Sequence, residues 1–285
     1  MNMKPIVAAT DGSEESLRAV EWAAGEAILH AVSLRIVSAA LLPPAMTAMT
    51  ALQIRPDRDH VADFIRSEGD LVLDAAASRA ARVAPGLVIV TDPVAGPPAQ
   101  GVATSGSGAA MLVVGCRGAG AFTALTLGSV SRYAAAHSAC PVVVVRDLLP
   151  AASGLIGVGV GDLDDCADPL TFAFDEASIR KASVLAIHAW PGPGPEAPES
   201  PAAAAAGARL AELMESWASK YPGVPVSQQV VPGHPAQALI GLSARVDLVV
   251  MGRHGEHPGP HGPGPIRHAV LSHAHGPIAL VPSGR

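Results

Sequence analysis

Short, uninterrupted runs of aliphatic residues alternate with longer amphipathic stretches along the whole chain. Strands buried on both faces lose the usual alternation of apolar and polar residues, so such runs are typical of a parallel sheet covered by helices. In the first half we predict strands at residues 5–9, 34–39, 87–90, 111–114 and 142–145. Helices are predicted from a cap at Ser13 to about residue 30, and at 63–83, 99–106 and 129–138. The β-α-β-α order predicts an α/β fold.

The second half of the chain repeats the first. VAGPPAQ at 94–100 returns as VPGHPAQ at 231–237, and the elements around both segments follow the same order. We therefore predict two similar doubly wound domains, at 1–147 and 153–285, each a mostly parallel five-stranded sheet with helices on both faces. The strands predicted in the second copy lie at about 156–160, 184–189, 226–231, 247–251 and 278–281. The Pro-rich segment 191–201 and its counterpart in the first copy, 43–60, are predicted to be surface loops.

Composition narrows the class of protein. A net charge of −6 argues against broad binding to DNA or RNA, which needs clustered positive charge. Hydrophobic residues make up 49% of the chain, yet no apolar run reaches the roughly 18 residues that a membrane-spanning helix needs. The first residues do not resemble a secretory signal, and the three cysteines have no C-x-x-C spacing. We expect a cytoplasmic protein without a membrane partner.

Ligands of doubly wound sheets bind at the carboxyl ends of the strands, where the strand order reverses. Three loops of the first copy qualify: residues 10–13 after the first strand, 38–40 after the second and 115–118 after the fourth. The last of these begins the pattern G-x2-G-x9-G-S, in which Gly115 ends a strand and Gly128 precedes a helix. Glycines let the backbone approach an anion, and the free amides of a helix start attract phosphate. Ordinary turn glycines are the alternative interpretation.

These pieces resemble the universal stress protein family in its tandem two-domain form, over nearly the whole chain. In that family the pattern G-x2-G-x9-G-[ST] marks members that bind ATP, and an Asp-Gly-Ser follows the first strand. Here the matching segments are residues 11–13 and GCRGAGAFTALTLGSVS at 115–131. The resemblance implies an ATP site in which Asp11 lies near the ribose or adenine. We expect Mg²⁺ to accompany the ATP, and among the residues Asp11 is the candidate metal ligand. It places Ala39 and Val114 beside the adenine. The residues expected around the ribose and phosphates are Gly115, Arg117, Gly118, Gly128, Ser129, Val130 and Ser131.

Two features qualify that expectation. Asp11 also suits the chemistry of a turn or helix start, and both roles can hold together. The second copy departs from the pattern, because Leu163-Asp164 replaces Gly-Ser and Gly264 follows Gly255 after eight residues rather than nine. Pro265 stands where the first copy has Ser129, and it has neither a hydroxyl nor an N–H. We expect the second copy to bind ATP weakly or not at all.

Three functions are compatible with these residues. The first is a regulatory protein of the stress response that binds ATP and turns it over slowly at most, since no nucleophile–base pair stands out. The second is an adenylyl transferase, but its expected Ser-Gly-Gly-x-Asp-Ser loop is replaced by residues 10–13. The third is an assembly module that needs no ligand, in which the apolar terminal strands 142–145 and 278–281 pair within the chain or between two chains.

Overall fold

The computed structural model describes residues 4–39, 58–94, 97–118, 127–146, 152–161, 163, 166–190, 201–253 and 264–284, without the side chains of residues 39, 58–68 and 202. The strands are β1 (Ile6–Thr10), β2 (Leu34–Ala39), β3 (Ile89–Val94), β4 (Met111–Gly115), β5 (Val142–Val145), β6 (Leu155–Gly159), β7 (Ser183–Trp190), β8 (Val226–Pro232), β9 (Leu248–Gly252) and β10 (Ile278–Val281). The helices are α1 (Glu14–Leu29), α2 (Arg58–Val83), α3 (Pro98–Ser105), α4 (Ser129–His137), α5 (Ala167–Arg180), α6 (Pro201–Lys220), α7 (Pro235–Ser243) and α8 (Pro265–His273).

The chain divides into two compact units. Unit 1 comprises residues 1–124 and 128–140, and unit 2 comprises 125–127 and 141–285. Both contain a mostly parallel sheet with helices on both faces, which confirms the predicted fold class. The predicted junction between the repeats lies largely outside the described part of the chain, which omits residues 147–151.

In unit 1 the strands run in the order β3-β2-β1-β4, and each described pair is parallel. All five positions of both β1 and β4 are buried, as continuous aliphatic runs in a doubly covered sheet require. The chain moves outward from β1 to β3 and then returns to the other side of β1 as β4. The strand order therefore reverses between β1 and β4, and their carboxyl ends form the crevice in which such sheets bind ligands.

Unit 2 contains the order β5-β10-β9-β6-β7-β8. Its described pairs are parallel except that β10 runs antiparallel to β5, with Ile278 opposite Val144 and Leu280 opposite Val142. The strand that closes the first sequence repeat therefore lies in unit 2. All four residues of both β5 and β10 are buried, which accounts for their wholly aliphatic sequences.

Two elements differ from their predicted bounds by more than one residue. The third strand was placed too early, because it runs from Ile89 to Val94 rather than over 87–90. β3 lies at the edge of the sheet and is only half buried, so it tolerates polar residues and a proline. Thr91, Asp92 and Pro93 interrupt the continuous apolar run by which the other strands were predicted. Helix α2 begins at 58 rather than 63, inside a segment (43–60) expected to be a surface loop. Most of that segment and of the other expected loop, 191–201, lies outside the described residues.

An arginine joins the two long helices of unit 1. Arg79 of α2 donates to both carboxylate oxygens of Glu14, at 2.8 and 2.6 Å, and to Glu21 at 2.5 Å. The hydrogen bonds from Arg79 hold the pKa of the Glu14 carboxyl below its ordinary value of 4.5, while the two carboxylates raise the pKa of Arg79. Glu14 is the first residue of α1, so this cluster fixes the start of that helix.

Unit 2 has an aromatic cluster at the corresponding helices. Phe174 of α5 is fully buried and lies 5.5 Å from the ring of Trp217 and 5.1 Å from that of Tyr221. The Tyr221 hydroxyl donates to Asp175 at 2.9 Å. Burial, followed by this hydrogen bond, raises the pKa of Tyr221 to about 12. None of the helices within the described residues is both long enough and apolar enough to cross a membrane.

Candidate functional site

The sheet of unit 1 brings together the carboxyl ends of β1, β2 and β4, where the three predicted loops begin. Thr10 at the end of β1 is paired with Ser38, one residue before the end of β2. On the other side of β1, Ala8 is paired with Val113, two residues before the end of β4. Asp11 directly follows β1, and Ala39 and Gly115 are the last residues of β2 and β4, so all three lie at neighbouring strand ends, as the sequence predicted.

The loop after β1 is ordered by its own side chains. The Asp11 carboxylate accepts through Oδ1 from the Ser13 amide at 3.1 Å and from the Ser13 hydroxyl at 2.6 Å. The Ser13 Oγ in turn accepts from the Ser16 amide at 3.3 Å and caps α1. Gly12 has a φ of +81°, a left-handed conformation that favours glycine. Asp11 thus has the turn role that was one of its two interpretations.

The loops after β1 and β4 touch through Asp11 and Gly118. A Cβ built on Gly118 would lie 2.3 Å from Asp11 Oδ2, closer than any side-chain carbon can approach. Because the backbone of Gly118 does not have a positive φ, the reason for glycine here is this contact. The predicted site residues Asp11 and Gly118 are therefore direct neighbours.

Gly115 is required by close packing of a different kind. A Cβ at this position would lie 2.9 Å from the carbonyl oxygen of Glu15 and 3.1 Å from the Cα of Ser16. The first turn of α1 therefore rests directly on the end of β4. Arg117, two residues later, pairs with the Glu15 carboxylate at 3.3 Å. The α1 start, the end of β4 and Arg117 form one packed group at the base of the loop.

The far end of the glycine loop returns to the same place and opens α4. The Gly128 amide donates to the Cys116 carbonyl at 2.9 Å. Gly128 is the N-cap of α4, has no side chain to cap it, and the first turn contains no acidic residue. The first amides of an α-helix have no acceptor within the helix, so those of Ser129, Val130 and Ser131 form a positive, donor-rich end.

The other predicted residues have definite places. The Ser131 hydroxyl is buried and donates to the Gly115 carbonyl at 2.5 Å, so its hydrogen is engaged in closing the loop. Ser129 is exposed at the helix start. Val114 is 2% exposed and belongs to the core beneath the site. The backbone of Ala39 ends β2, whereas its side chain and loop residues 119–126 lie outside the described structure.

Unit 2 has the same elements but different chemistry. Gly264 is the N-cap of α8, with a φ of +77°, and Pro265 is the first helical residue. At the position that Ser131 occupies in α4, α8 has Arg267, which is 8% exposed. We did not single out Arg267 from the sequence, although alignment of the two repeats places it opposite Ser131. Asp162, which alignment of the two repeats places opposite Asp11, lies outside the described part of the chain, as do residues 254–263.

Comparison with known proteins agrees with this architecture. The profile of the universal stress protein family matches residues 2–146 and 154–282. Universal stress protein Rv1996 of Mycobacterium tuberculosis is 31% identical over 304 residues, covering 96% of this chain and 94% of the relative. Universal stress protein Rv2623 of the same species is 32% identical over 268 residues, covering 88% and 86%. A solved universal stress protein from Archaeoglobus fulgidus DSM 4304 has a TM-score of 0.75 at 18% identity, covering 100% of both chains, and supports the fold alone.

Proposed function

Because this chain belongs to the universal stress protein family, we propose that its first repeat binds ATP with Mg²⁺ at the carboxyl ends of β1 and β4, as a regulatory step in the stress response. The observation that carries this proposal is the uncapped amino end of α4, which the glycine loop brings back to the strand end at Cys116. Such a helix end offers amide donors and a favourable dipole to a phosphate group.

The phosphates would be held mainly by backbone. The amides of Ser129 and Val130 and the exposed Ser129 hydroxyl are suited to donate to phosphate oxygens. Ser131 would act first by holding the Gly115 carbonyl, and its hydroxyl reaches a phosphate only if it gives up that bond. Gly118 and Gly128 have no side chains and would let the phosphates approach the backbone closely. Arg117 adds positive charge at the base of the loop, where Glu15 orients it.

The ribose, adenine and metal would lie on the β1–β2 side. Ala39 ends the strand next to β1, so the backbone there would flank the adenine, with Val114 in the core beneath. Asp11 is exposed and presents a carboxylate oxygen next to the glycine loop. Mg²⁺ prefers hard oxygen ligands and is commonly held by one carboxylate together with substrate phosphates, so Asp11 fits as its ligand.

We assign the site to binding rather than to efficient catalysis. ATP cleavage needs a base or a metal-held water positioned near the γ-phosphate. Of the nearby carboxylates described, Asp11 is held by Ser13 and Glu15 is paired with Arg117. Signalling would then follow from different affinities of ATP for two states of the protein.

Calorimetric titration of the full chain with ATP and Mg²⁺ tests the proposal. We expect one site per chain, which is lost in Gly118→Asp and weakened in the double variant Ser129→Ala with Ser131→Ala. Gly223→Asp is the matched control, because it adds the same charge where no atom lies within 4 Å of a Cβ built at Gly223. Unchanged binding in Gly118→Asp, or no binding by the wild-type chain, would overturn the proposed function.

A further inference from the structure

Helices α4 and α8, neither of which has a side-chain cap, are built on the same plan. Each has nine residues and a glycine N-cap with no side-chain cap. In both, the third residue is the first buried one, and burial of the next three residues also agrees. That residue is Ser131 in α4, 5% exposed, and Arg267 in α8, 8% exposed. The repeat therefore places a long cationic side chain where the first copy has a small hydroxyl.

Both side chains point back to the glycine that opens the helix. A Cβ built on Gly128 would lie 3.6 Å from Ser131 Oγ. The same construction at Gly264 lies 3.1 Å from Arg267 Nη2 and 3.7 Å from its Cζ. The guanidinium group thus packs against Gly264, the N-cap of α8, in the region that corresponds to the amide-lined end of α4.

Helix stability alone does not account for this arginine. A cation at the amino end of a helix opposes the helix dipole, which favours negative charge there. Pro265 also removes the first amide of the helix, so unit 2 has lost a donor where unit 1 has Ser129. The bulk of Arg267 and the amide donor missing at Pro265 both disfavour a phosphate at the amino end of α8.

We infer that Arg267 fills, in unit 2, the space that corresponds to the phosphate subsite of unit 1 and thereby excludes the nucleotide from the second repeat. The inference rests on the proposed function of unit 1. The buried side chain of Arg267 is then the main cause of the difference in ATP binding between the repeats, and Pro265 is the secondary cause. Arg267 is therefore a specificity-determining residue that limits the chain to one nucleotide.

The test measures how many ATP molecules each variant binds in the presence of Mg²⁺, by equilibrium dialysis of the full chain. We expect one for the wild type and two for Arg267→Ser or for the double variant Pro265→Ser with Arg267→Ser, which restores the residue types of the first repeat. Arg267→Met keeps the bulk without the charge, and is expected to stay at one. Arg245→Ser removes an exposed arginine of the same unit and serves as the control.

The outcomes separate the two proposals. Adding Gly118→Asp to Arg267→Ser should lower the count from two to one, which would place the gained site in unit 2. If the wild type and both serine variants bind one ATP each, the inference about Arg267 is wrong and the site in unit 1 stands. If the wild type binds none, the proposed function fails; a single site that then appears only in the serine variants would still support exclusion by Arg267. If Arg267→Ser binds less ATP than the wild type, Arg267 is a ligand and the inference is overturned.

Discussion

Replacement of Gly118 by alanine is a small change whose effect can be worked out from one contact. The new Cβ would lie 2.3 Å from Asp11 Oδ2, and ordinary contact begins at 3.4 Å, so the two atoms must separate by 1.1 Å. Alanine can adopt the backbone conformation of Gly118, so the strain falls on the Asp11 side chain or on the loop. Rotation of Asp11 would break its two hydrogen bonds from Ser13.

The magnitude follows from those bonds. Hydrogen bonds to a charged group contribute about 1.5–3 kcal/mol each, and the exposure of Asp11 reduces this because water replaces part of the loss. We therefore expect the free energy of unfolding to fall by about 1–2 kcal/mol in Gly118→Ala. In the proposed site Asp11 would contact the ligand, and a loss of similar size in its binding energy would weaken ATP binding about tenfold, since about 1.4 kcal/mol corresponds to a factor of ten.

The assay pairs ATP titration with urea unfolding in Gly118→Ala and a control, Gly25→Ala. Gly25 lies within α1, and no atom lies within 4 Å of a Cβ built there. The control should raise the free energy of unfolding by about 0.5–1 kcal/mol, because alanine is the better helix former, and should leave ATP affinity unchanged. Wild-type affinity in Gly118→Ala would refute the claim that the Asp11–Gly118 contact belongs to the binding site.

Three further outcomes are expected. Gly115→Ala should lower the free energy of unfolding by about 1–3 kcal/mol in urea, because its Cβ meets the Glu15 backbone, which cannot rotate away; an unchanged value would contradict the packing described. Glu14→Gln should destabilise the chain above pH 4.5, and this difference from the wild type should shrink as the pH falls below 4.5, because the lowered pKa of Glu14 stabilises the folded state only while its carboxyl is ionised. The wild type should lose stability relative to Tyr221→Phe between pH 10 and about 12, where the unfolded tyrosine ionises and the folded one does not; parallel pH profiles would show that Tyr221 titrates normally.

The buried centre of the fold could be predicted from the sequence because its strands are uniformly aliphatic. β1 and β4 are buried along their length, so their ends, and with them Asp11 and Gly115, fell close to the predicted positions. β3 was misplaced because one side of an edge strand is open and its residues, including Asp92, no longer form an apolar run. Burial on both faces is the physical condition under which this kind of prediction succeeds.

The chemistry of the site was only partly predictable. Glycine spacing identified the loop, but not that Gly118 is needed for Asp11 and Gly115 for the first turn of α1, since these are tertiary contacts between distant segments. Arg267 was missed for a related reason. An arginine in the first turn of a helix is unremarkable in sequence, and its burial against Gly264 depends on packing.

A crystal structure of the full chain with Mg²⁺ and a non-hydrolysable ATP analogue tests the central claim most directly. We expect phosphate oxygens within hydrogen-bond distance of the Ser129 and Val130 amides, and the metal between the phosphates and Asp11. A nucleotide bound elsewhere while the amino end of α4 holds no phosphate, or one bound at α8 in the presence of Arg267, would contradict it.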